Sequence, residues 1–163
     1  MFIVVTMVTA ACAPHADPPA PTGSGWSDAK NPHGAPAAGW PFWPTRVRVH
    51  PSTRIVKDPQ TDHWVIETRI EFADPEGATT KAVGQLTIQL WDAASANAAE
   101  SLQNWNMDLR DLAVNRRQYD DVMRTYLFRL EIDPAKIPEN PQIRIYFLAM
   151  DGQELEARMN IRR

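Results

Sequence analysis

The 163-residue sequence contains a single cysteine, Cys12, so it cannot form an intramolecular disulfide. It has no excess of basic residues either, since 17 Lys and Arg stand against 20 Asp and Glu, for a formal net charge of -3. A nucleic-acid surface needs a concentrated basic face, which this mixed composition does not supply. No stretch comes near the roughly 20 apolar residues that a membrane-spanning helix needs. The composition therefore argues against disulfide scaffolds, nucleic-acid binding and helical membrane spans.

The signatures of common catalytic and cofactor sites are also missing. The sequence has no G-x-S-x-G, H-E-x-x-H, P-loop or G-x-G-x-x-G motif. After residue 45 it has only two histidines, His50 and His63, which makes a zinc site improbable. Ser52, His50 and Asp58 could be combined into a Ser-His-Asp set, but nearness in sequence is no evidence for a triad. We therefore expect no catalytic residue and no cofactor.

Two runs, residues 64–74 and 84–91, dominate the hydrophobic pattern. In the first, alternate residues from Trp64 to Phe72 share a face, and in the second Leu86 and Leu90 lie on the same face as Ile88. A period of two is typical of strands that have one buried face and one solvent-exposed face. A turn-forming connection containing Pro75 and Gly77 separates them. The pattern predicts a two-stranded antiparallel core to which the other strands are added.

The remaining strands are shorter and are separated by turn signals. We predict them at residues 46–50, 52–56 (as a bent edge piece), 105–109, 124–132, 142–150 and 154–161, the last two joined by the hairpin signal Asp151-Gly152. Residues 92–104 are predicted as a loop or one short helix, and residues 110–123 as a long polar connection with at most one helical turn.

About seven or eight short strands between residues 46 and 163 predict one all-β domain, an antiparallel β-sandwich of the immunoglobulin type. The strand pattern resembles the Ig-like or transthyretin-like modules of bacterial surface lipoproteins. A C2-like sandwich is the alternative fold.

Residues 1–12 are predicted to be a lipoprotein signal peptide, which we call the leader. Residues 2–11 are an unbroken run of apolar and small residues, too short to span a bilayer and of the length of a signal-peptide core. The run ends in Thr9-Ala10-Ala11-Cys12, which resembles the bacterial lipobox, although Thr9 replaces the usual leucine. The resemblance implies a lipid on Cys12 and a membrane anchor, and Ala13 after it resembles outer-membrane-directed lipoproteins. The alternative is a buried N-terminal strand with an incidental cysteine.

Residues 13–45 form a predicted flexible tether between this leader and the domain. They contain eight prolines and four glycines, a composition that favours a disordered, partly extended linker. Trp40, Phe42 and Trp43 cluster just before the first predicted strand. These aromatic residues either pack on the domain or form a docking motif in which Trp40 and Trp43 contact a partner.

Strand reversal predicts that connections 74–83, 110–123 and 151–153 meet at one end of the sandwich. This end collects six acids and four arginines: Asp74, Glu76, Asp111, Asp120, Asp121, Asp151, Arg110, Arg116, Arg117 and Arg124. Converging acidic loops can form a calcium site, with Asp74, Asp120, Asp121 and Asp151 as weak candidates. Alternatively, the acids form turns and solubilising charges, with the arginines as ion-pair partners.

The stretch 115–126 is the main candidate for partner binding. It contains Arg116, Arg117 and Tyr119, residue types that often dominate interfaces, on a loop of a rigid scaffold. Alternatively, Tyr119 or Tyr126 packs back on the core in the manner of a tyrosine corner.

These observations predict a lipid-anchored protein of the bacterial envelope, on the outer membrane and facing the periplasm or the exterior. Its sandwich would be a non-enzymatic binding or structural module, with another envelope protein as the partner and no nucleic acid. The alternatives are an envelope enzyme or its accessory subunit, and a calcium-binding C2-like module.

Overall fold

The computed structural model describes residues 42–95 and 100–162. Within these ranges the chain forms ten strands, one α-helix (α1, Leu112–Gln118) and one 3-10 helix (Pro134–Lys136). The strands are β1 (Arg46–Val49), β2 (Arg54–Lys57), β3 (Trp64–Ala73), β4 (Thr79–Thr80), β5 (Gly84–Asp92), β6 (Gln103–Asp108), β7 (Tyr119–Asp120), β8 (Thr125–Ile132), β9 (Pro141–Ala149) and β10 (Glu154–Asn160). Eight have four or more residues, close to the predicted number, and β4 and β7 are two-residue additions.

The strands form two antiparallel sheets. The first sheet is built around β3. β1 and β2 pair with its C-terminal and N-terminal halves, and β8 pairs with residues 64–70. The short β4 pairs with residues 72–73 of β3, and β7 pairs with β8. The second has the order β10-β9-β5-β6. With β1 and β2 counted as one strand, this is the immunoglobulin arrangement of strands A, B and E opposite G, F and C. The predicted all-β sandwich is therefore confirmed.

The predicted pairing of residues 64–74 with residues 84–91 is wrong. β3 and β5 lie in opposite sheets, since β3 pairs with β8 whereas β5 pairs with β6 and β9. The turn signal after Asp74 does produce a tight reversal, but the strand that returns to β3 is the two-residue β4. The chain then crosses to the second sheet. A period of two shows which face of a strand is buried, but it does not identify the partner strand. The same alternation is expected for two strands paired in one sheet and for two strands that face each other across the core.

The buried faces agree with the predicted alternation. Ile66, Ile70 and Phe72 of β3 and Ile88 and Leu90 of β5 are almost fully buried. Phe72 meets Phe147 of β9 edge-on across the core, with ring centroids 4.7 Å apart, and such aromatic pairs stabilise a core beyond their buried area. The core therefore lies between the sheets, leaving their outer faces and the loops for contacts.

Several predictions fall outside the described residues: the leader 1–12, the lipid attachment at Cys12, the tether up to residue 41, and Trp40. Within the described ranges, no helix is both long and apolar enough to cross a membrane.

Candidate functional site at the α1 end

Connections 74–83, 109–124 and 151–153 meet at one end of the sandwich, as predicted. Gly84 at the start of β5 lies opposite Ala149 at the end of β9, and its carbonyl accepts a bond from the Leu109 N–H. On the other sheet, Ile70 near the end of β3 lies opposite Tyr126 at the start of β8. We call this loop end, which carries α1, the α1 end.

Helix α1 is short, and its N-terminus is capped by a side chain. The Asp111 carboxylate caps its first turn by accepting bonds from the N–H groups of Ala113 and Val114 at 2.8 and 3.4 Å. Arg116 and Arg117 lie in the last turn, where positive side chains interact favourably with the helix dipole. The helix has two turns where the sequence predicted at most one.

A buried polar network holds α1 against the core. The Asn115 Nδ2 donates to the Ala82 and Leu109 carbonyls at 2.7 and 2.8 Å, and the Tyr126 hydroxyl lies 2.9 Å from Asn115 Oδ1 and 3.0 Å from the Ala82 nitrogen. Both amide protons are used, so Oδ1 must accept the hydroxyl proton while the hydroxyl oxygen accepts the Ala82 N–H. Burial raises the pKa of Tyr126 to about 12, so the hydroxyl keeps this proton at neutral pH.

The network confirms that Tyr126 packs on the core, as the tyrosine-corner alternative expects. Its hydroxyl reaches back along the chain to Ala82 and Asn115. Asn115 is the residue that sequence reasoning missed, because nothing in the sequence distinguishes it from an exposed polar helix residue. The consequence for the site is that three buried hydrogen bonds of Asn115 hold α1 in a fixed position.

The outward side of α1 carries the predicted binding arginines. Arg116 and Arg117 are exposed, and within the described part of the chain neither has a hydrogen-bond or ion-pair partner. Among the large apolar side chains that the described residues leave exposed, Leu112 lies on α1 itself, and Val122 and Met123 lie in the turn before β8 at the same end of the sandwich. Leu112 is 61% exposed and Val122 91%. This surface therefore combines unpaired guanidinium groups with exposed apolar groups.

Tyr119 connects this surface to the core. Its half-buried ring meets Tyr126 edge-on at 5.1 Å between centroids, and the Lys81 ammonium lies 4.3 Å from its ring centre. Lys81 also approaches Asp121 at 3.6 Å. Tyr119 is therefore mainly a packing residue with one edge available at the surface.

The candidate calcium ligands do not converge. Asp74 is buried and accepts the Ala78 N–H at 2.9 Å, and Asp151 accepts the Gln153 N–H. Asp121 pairs with Lys81, whereas Asp120 lies 2.8 Å from the Arg69 guanidinium. The Met123 N–H, and after it Arg69, lowers the pKa of Asp120. Among the described residues, no group of three or more His, Cys, Asp or Glu is placed to hold a metal ion. The geometry instead fits acids that form turns, caps and ion pairs.

The predicted ion pairs between the six acids and the four arginines do not occur among the described residues. Arg110 pairs with Asp108 at 2.7 Å, and Arg124 donates to the Thr79 carbonyl at 3.1 Å. Asp120 and Asp121 take their cations from Arg69 and Lys81, which come from other parts of the chain. Of the four arginines at this end, Arg116 and Arg117 are therefore the two that have no partner among the described residues.

The placement of Trp43 fits the packing alternative. The indole is half-buried against the core, and its Nε1 has no hydrogen-bond partner among the described residues. A side chain held in this way presents little surface to a partner, so Trp43 does not join the docking surface.

The Ser52, His50 and Asp58 set is not assembled into a triad. His50 Nδ1 lies 2.8 Å from Ser52 Oγ, but the Asp58 carboxylate is bound elsewhere, to the Gln60 N–H and the Arg129 guanidinium. The Gln60 N–H is the main cause of the lowered pKa of Asp58, and Arg129 adds to it. The third member needed to orient the imidazole is therefore missing from this pair.

No protein-family model, curated protein or solved structure matches this chain. Its function must therefore be argued from its own geometry.

Proposed function

We propose that this chain is a lipid-anchored envelope protein whose sandwich is a non-enzymatic binding module, and that a protein partner docks on the α1 end. The observation that supports the docking surface is the pair Arg116 and Arg117 on α1. Both are exposed and have no partner among the described residues, and the exposed Leu112 lies one turn before Arg116. The competing function is an envelope enzyme or its accessory subunit, which would use acids at this end. It has no comparable support, because Asp74, Asp120 and Asp121 each bind a different group of the chain.

The pairing of the other arginines supports this assignment. On the outer face of the first sheet, Arg48 pairs with Glu71 at 2.7 Å, Arg54 with Glu67 at 3.0 Å, and Arg69 with Asp120. A carboxylate partner is thus the ordinary situation for an arginine on that face. Arginine is also among the residues that most often dominate interface energy when a partner desolvates it. Two unpaired arginines beside apolar groups therefore fit an interface better than a purely solubilising surface.

The chemistry of the surface also limits the partner. Asp111 and Asp121 lie on the same end as Arg116 and Arg117, so the end is not uniformly positive. A polyanion or an acidic membrane surface would meet both signs of charge here. A protein surface that pairs carboxylates with the two arginines and apolar groups with Leu112 and Val122 matches the arrangement better.

Replacing both arginines is expected to separate binding from folding. Arg116→Ala with Arg117→Ala removes no hydrogen bond or ion pair of the described residues. It removes only a helix-dipole interaction of about 0.3–1 kcal/mol per side chain, so the melting temperature should fall by only a few degrees. Recovery of the partner by affinity capture from the envelope fraction should fall at least about tenfold, since two desolvated charges are lost. Lys136→Ala, at the opposite end of the sandwich, is the control and should leave recovery unchanged. Equal recovery with the double variant would refute docking at the α1 end.

The lipid anchor rests on the lipobox-like run that ends at Cys12. Each buried methylene of an acyl chain contributes roughly 0.8 kcal/mol, so two or more chains would hold the protein durably on a membrane. Cys12→Ser should abolish incorporation of labelled palmitate and move the protein out of the membrane fraction. A wild type that takes up no label and is recovered in the aqueous fraction would disprove the anchor.

A further inference from the structure

The outer faces of the two sheets differ in how they neutralise their arginines. On the first sheet, Arg48, Arg54, Arg69 and Arg129 each lie within 4 Å of a carboxylate. On the second sheet, Arg144 of β9 lies directly opposite Arg158 of β10. Neither forms an ion pair with an acid of the described residues. Like charges placed directly opposite on paired strands destabilise a sheet, so this pair needs a compensating role.

The two central strands of this face provide no carboxylate near the arginine pair. Between residues 85 and 91, β5 directs Gln85, Thr87, Gln89 and Trp91 outward, and between residues 142 and 148, β9 directs Gln142, Arg144, Tyr146 and Leu148 outward. Arg144 is the one charged residue in this set. The centre of the face is therefore polar, and its one charged side chain, Arg144, forms no ion pair with the nearby Glu156 of β10.

Arg144 is held in one orientation. Its guanidinium carbon lies 4.1 Å from the centre of the Trp91 ring, and its Nε donates to Gln142 Oε1 at 2.7 Å. Stacking on an indole and a bond through Nε together fix the plane of the guanidinium group. Its two terminal nitrogens have no partner among the described residues. They form the pre-organised fork that binds a carboxylate through two parallel hydrogen bonds.

Neighbouring amides present donors beside this fork. The Trp91 indole N–H can only donate, and it does so to Gln89 Oε1 at 2.9 Å, which turns the Gln89 NH₂ group outward. Gln142 Oε1 already accepts from Arg144, so its NH₂ group donates to Asn160 Oδ1 at 2.8 Å. Asn160 Oδ1 is thus the acceptor, and the Asn160 NH₂ group has no partner in the part of the chain that the structure describes. Two amide donors therefore flank the guanidinium group on neighbouring strands.

A recess lies between β9 and β10 at this point. Its volume is ≈ 310 Å³, and its walls include Arg144, Tyr146, Glu156 and Arg158. Tyr146 is half-buried and lies opposite Glu156 on the neighbouring strand. The aromatic ring offers an apolar face, while Glu156 would repel a compact anion with more than one negative charge, such as a phosphate.

We propose that this recess binds a carboxylated glycan, of which a polyuronate is the simplest example. One carboxylate binds the Arg144 fork, and Arg158 on the neighbouring strand provides a second cation. Sugar hydroxyls beyond the recess accept from the NH₂ groups of Gln89 and Asn160, and a sugar ring packs on Tyr146. Donor amides around a single fork match a hydroxyl-rich ligand better than an acidic peptide, whose apolar side chains would find no pocket among these polar groups. The site is separate from the α1 end and does not depend on it.

Calorimetric titration of the full chain with trigalacturonate tests this site. We expect saturable binding, no binding of the neutral maltotriose, and at least a tenfold loss of affinity in Arg144→Gln and in Arg158→Gln. Arg48→Gln, on the opposite face, should bind like the wild type. Arg158→Gln should also keep or raise the melting temperature of the free protein, because it relieves the like-charge pair. A residue with only a structural role would give the opposite shift.

The proposal would be overturned if trigalacturonate did not bind, if the Arg144→Gln variant bound it equally well, or if maltotriose bound equally well. Tighter binding of a triglutamate peptide than of trigalacturonate would assign the recess to acidic peptides and would also contradict it. Inorganic phosphate in a further titration distinguishes a general anion site, which would bind it as well as it binds the glycan.

Discussion

Asn115→Leu is expected to lower the free energy of unfolding by about 3 kcal/mol, although leucine is close to asparagine in size. The change leaves the Ala82 and Leu109 carbonyls without the amide donors and leaves the Tyr126 hydroxyl without its best acceptor. Each buried polar group that loses its partner costs about 1–3 kcal/mol. In the variant, the Tyr126 hydroxyl can donate to the Ala82 carbonyl, which lies 3.2 Å away. Because this bond satisfies two of the groups again, we expect a loss of stability near the lower end of the range for three unpaired groups.

Urea unfolding followed by tryptophan fluorescence measures this loss. Asn106→Leu is the matched control, because Asn106 is exposed and the one side-chain hydrogen bond that it forms among the described residues is with Thr87. It should change the free energy of unfolding by no more than about 0.5 kcal/mol. A loss below about 1 kcal/mol for Asn115→Leu would show that the network does not hold α1 in place.

Gly84→Ala is expected to destabilise the domain by about 3 kcal/mol. A methyl group on Gly84 would meet the Leu148 carbonyl oxygen inside van der Waals contact and would lie 2.7 Å from the Phe147 ring. Neither can move freely, because Leu148 is paired with Gln85 across the sheet and Phe147 packs against Phe72 in the core. Overpacking of this kind costs about 1–3 kcal/mol and sometimes more, and here it also disturbs a strand pair.

Thermal unfolding compared with Gly152→Ala separates crowding from backbone strain. Gly152 has a positive φ of 88° but no atom within 4 Å of the added methyl group. Its replacement should therefore cost only the strain of that conformation, about 1 kcal/mol. If Gly84→Ala proves no worse than Gly152→Ala, then the close approach of β5 to β9 is not a packing constraint.

The alternation of apolar residues was sufficient to predict the strands and their buried faces. Tyr126, Phe128, Leu130 and Ile132 on β8 are buried as predicted. The partner of each strand was less accessible to sequence reasoning. Residues 64–74 and 84–91 were paired because they are neighbours in sequence, yet β3 and β5 face each other across the core. The chain leaves β3 through β4, which has only two residues and is therefore too short to show a period of two in the sequence.

The candidate sites were predictable to different degrees. Strand reversal alone placed Arg116, Arg117 and Tyr119 at one end with the acidic loops. It could not show which cation meets which acid, because Arg69 and Asp120 are 51 residues apart and are brought together by β7 beside β8. The arrangement around Arg144 was also hidden, since the period of two turns it outward but only the register sets it against Trp91 and Arg158.

Docking at the α1 end is tested most directly by photo-crosslinking in the cells that produce the protein. A photoreactive residue at Val122, which is 91% exposed, samples this end while leaving Arg116 and Arg117 intact. The same residue at Leu102, exposed at the opposite end, is the matched control. Docking predicts a discrete protein adduct from position 122 that is absent from position 102 and is lost when Arg116→Ala and Arg117→Ala are added. No adduct from position 122, or one that survives the double substitution, would contradict it.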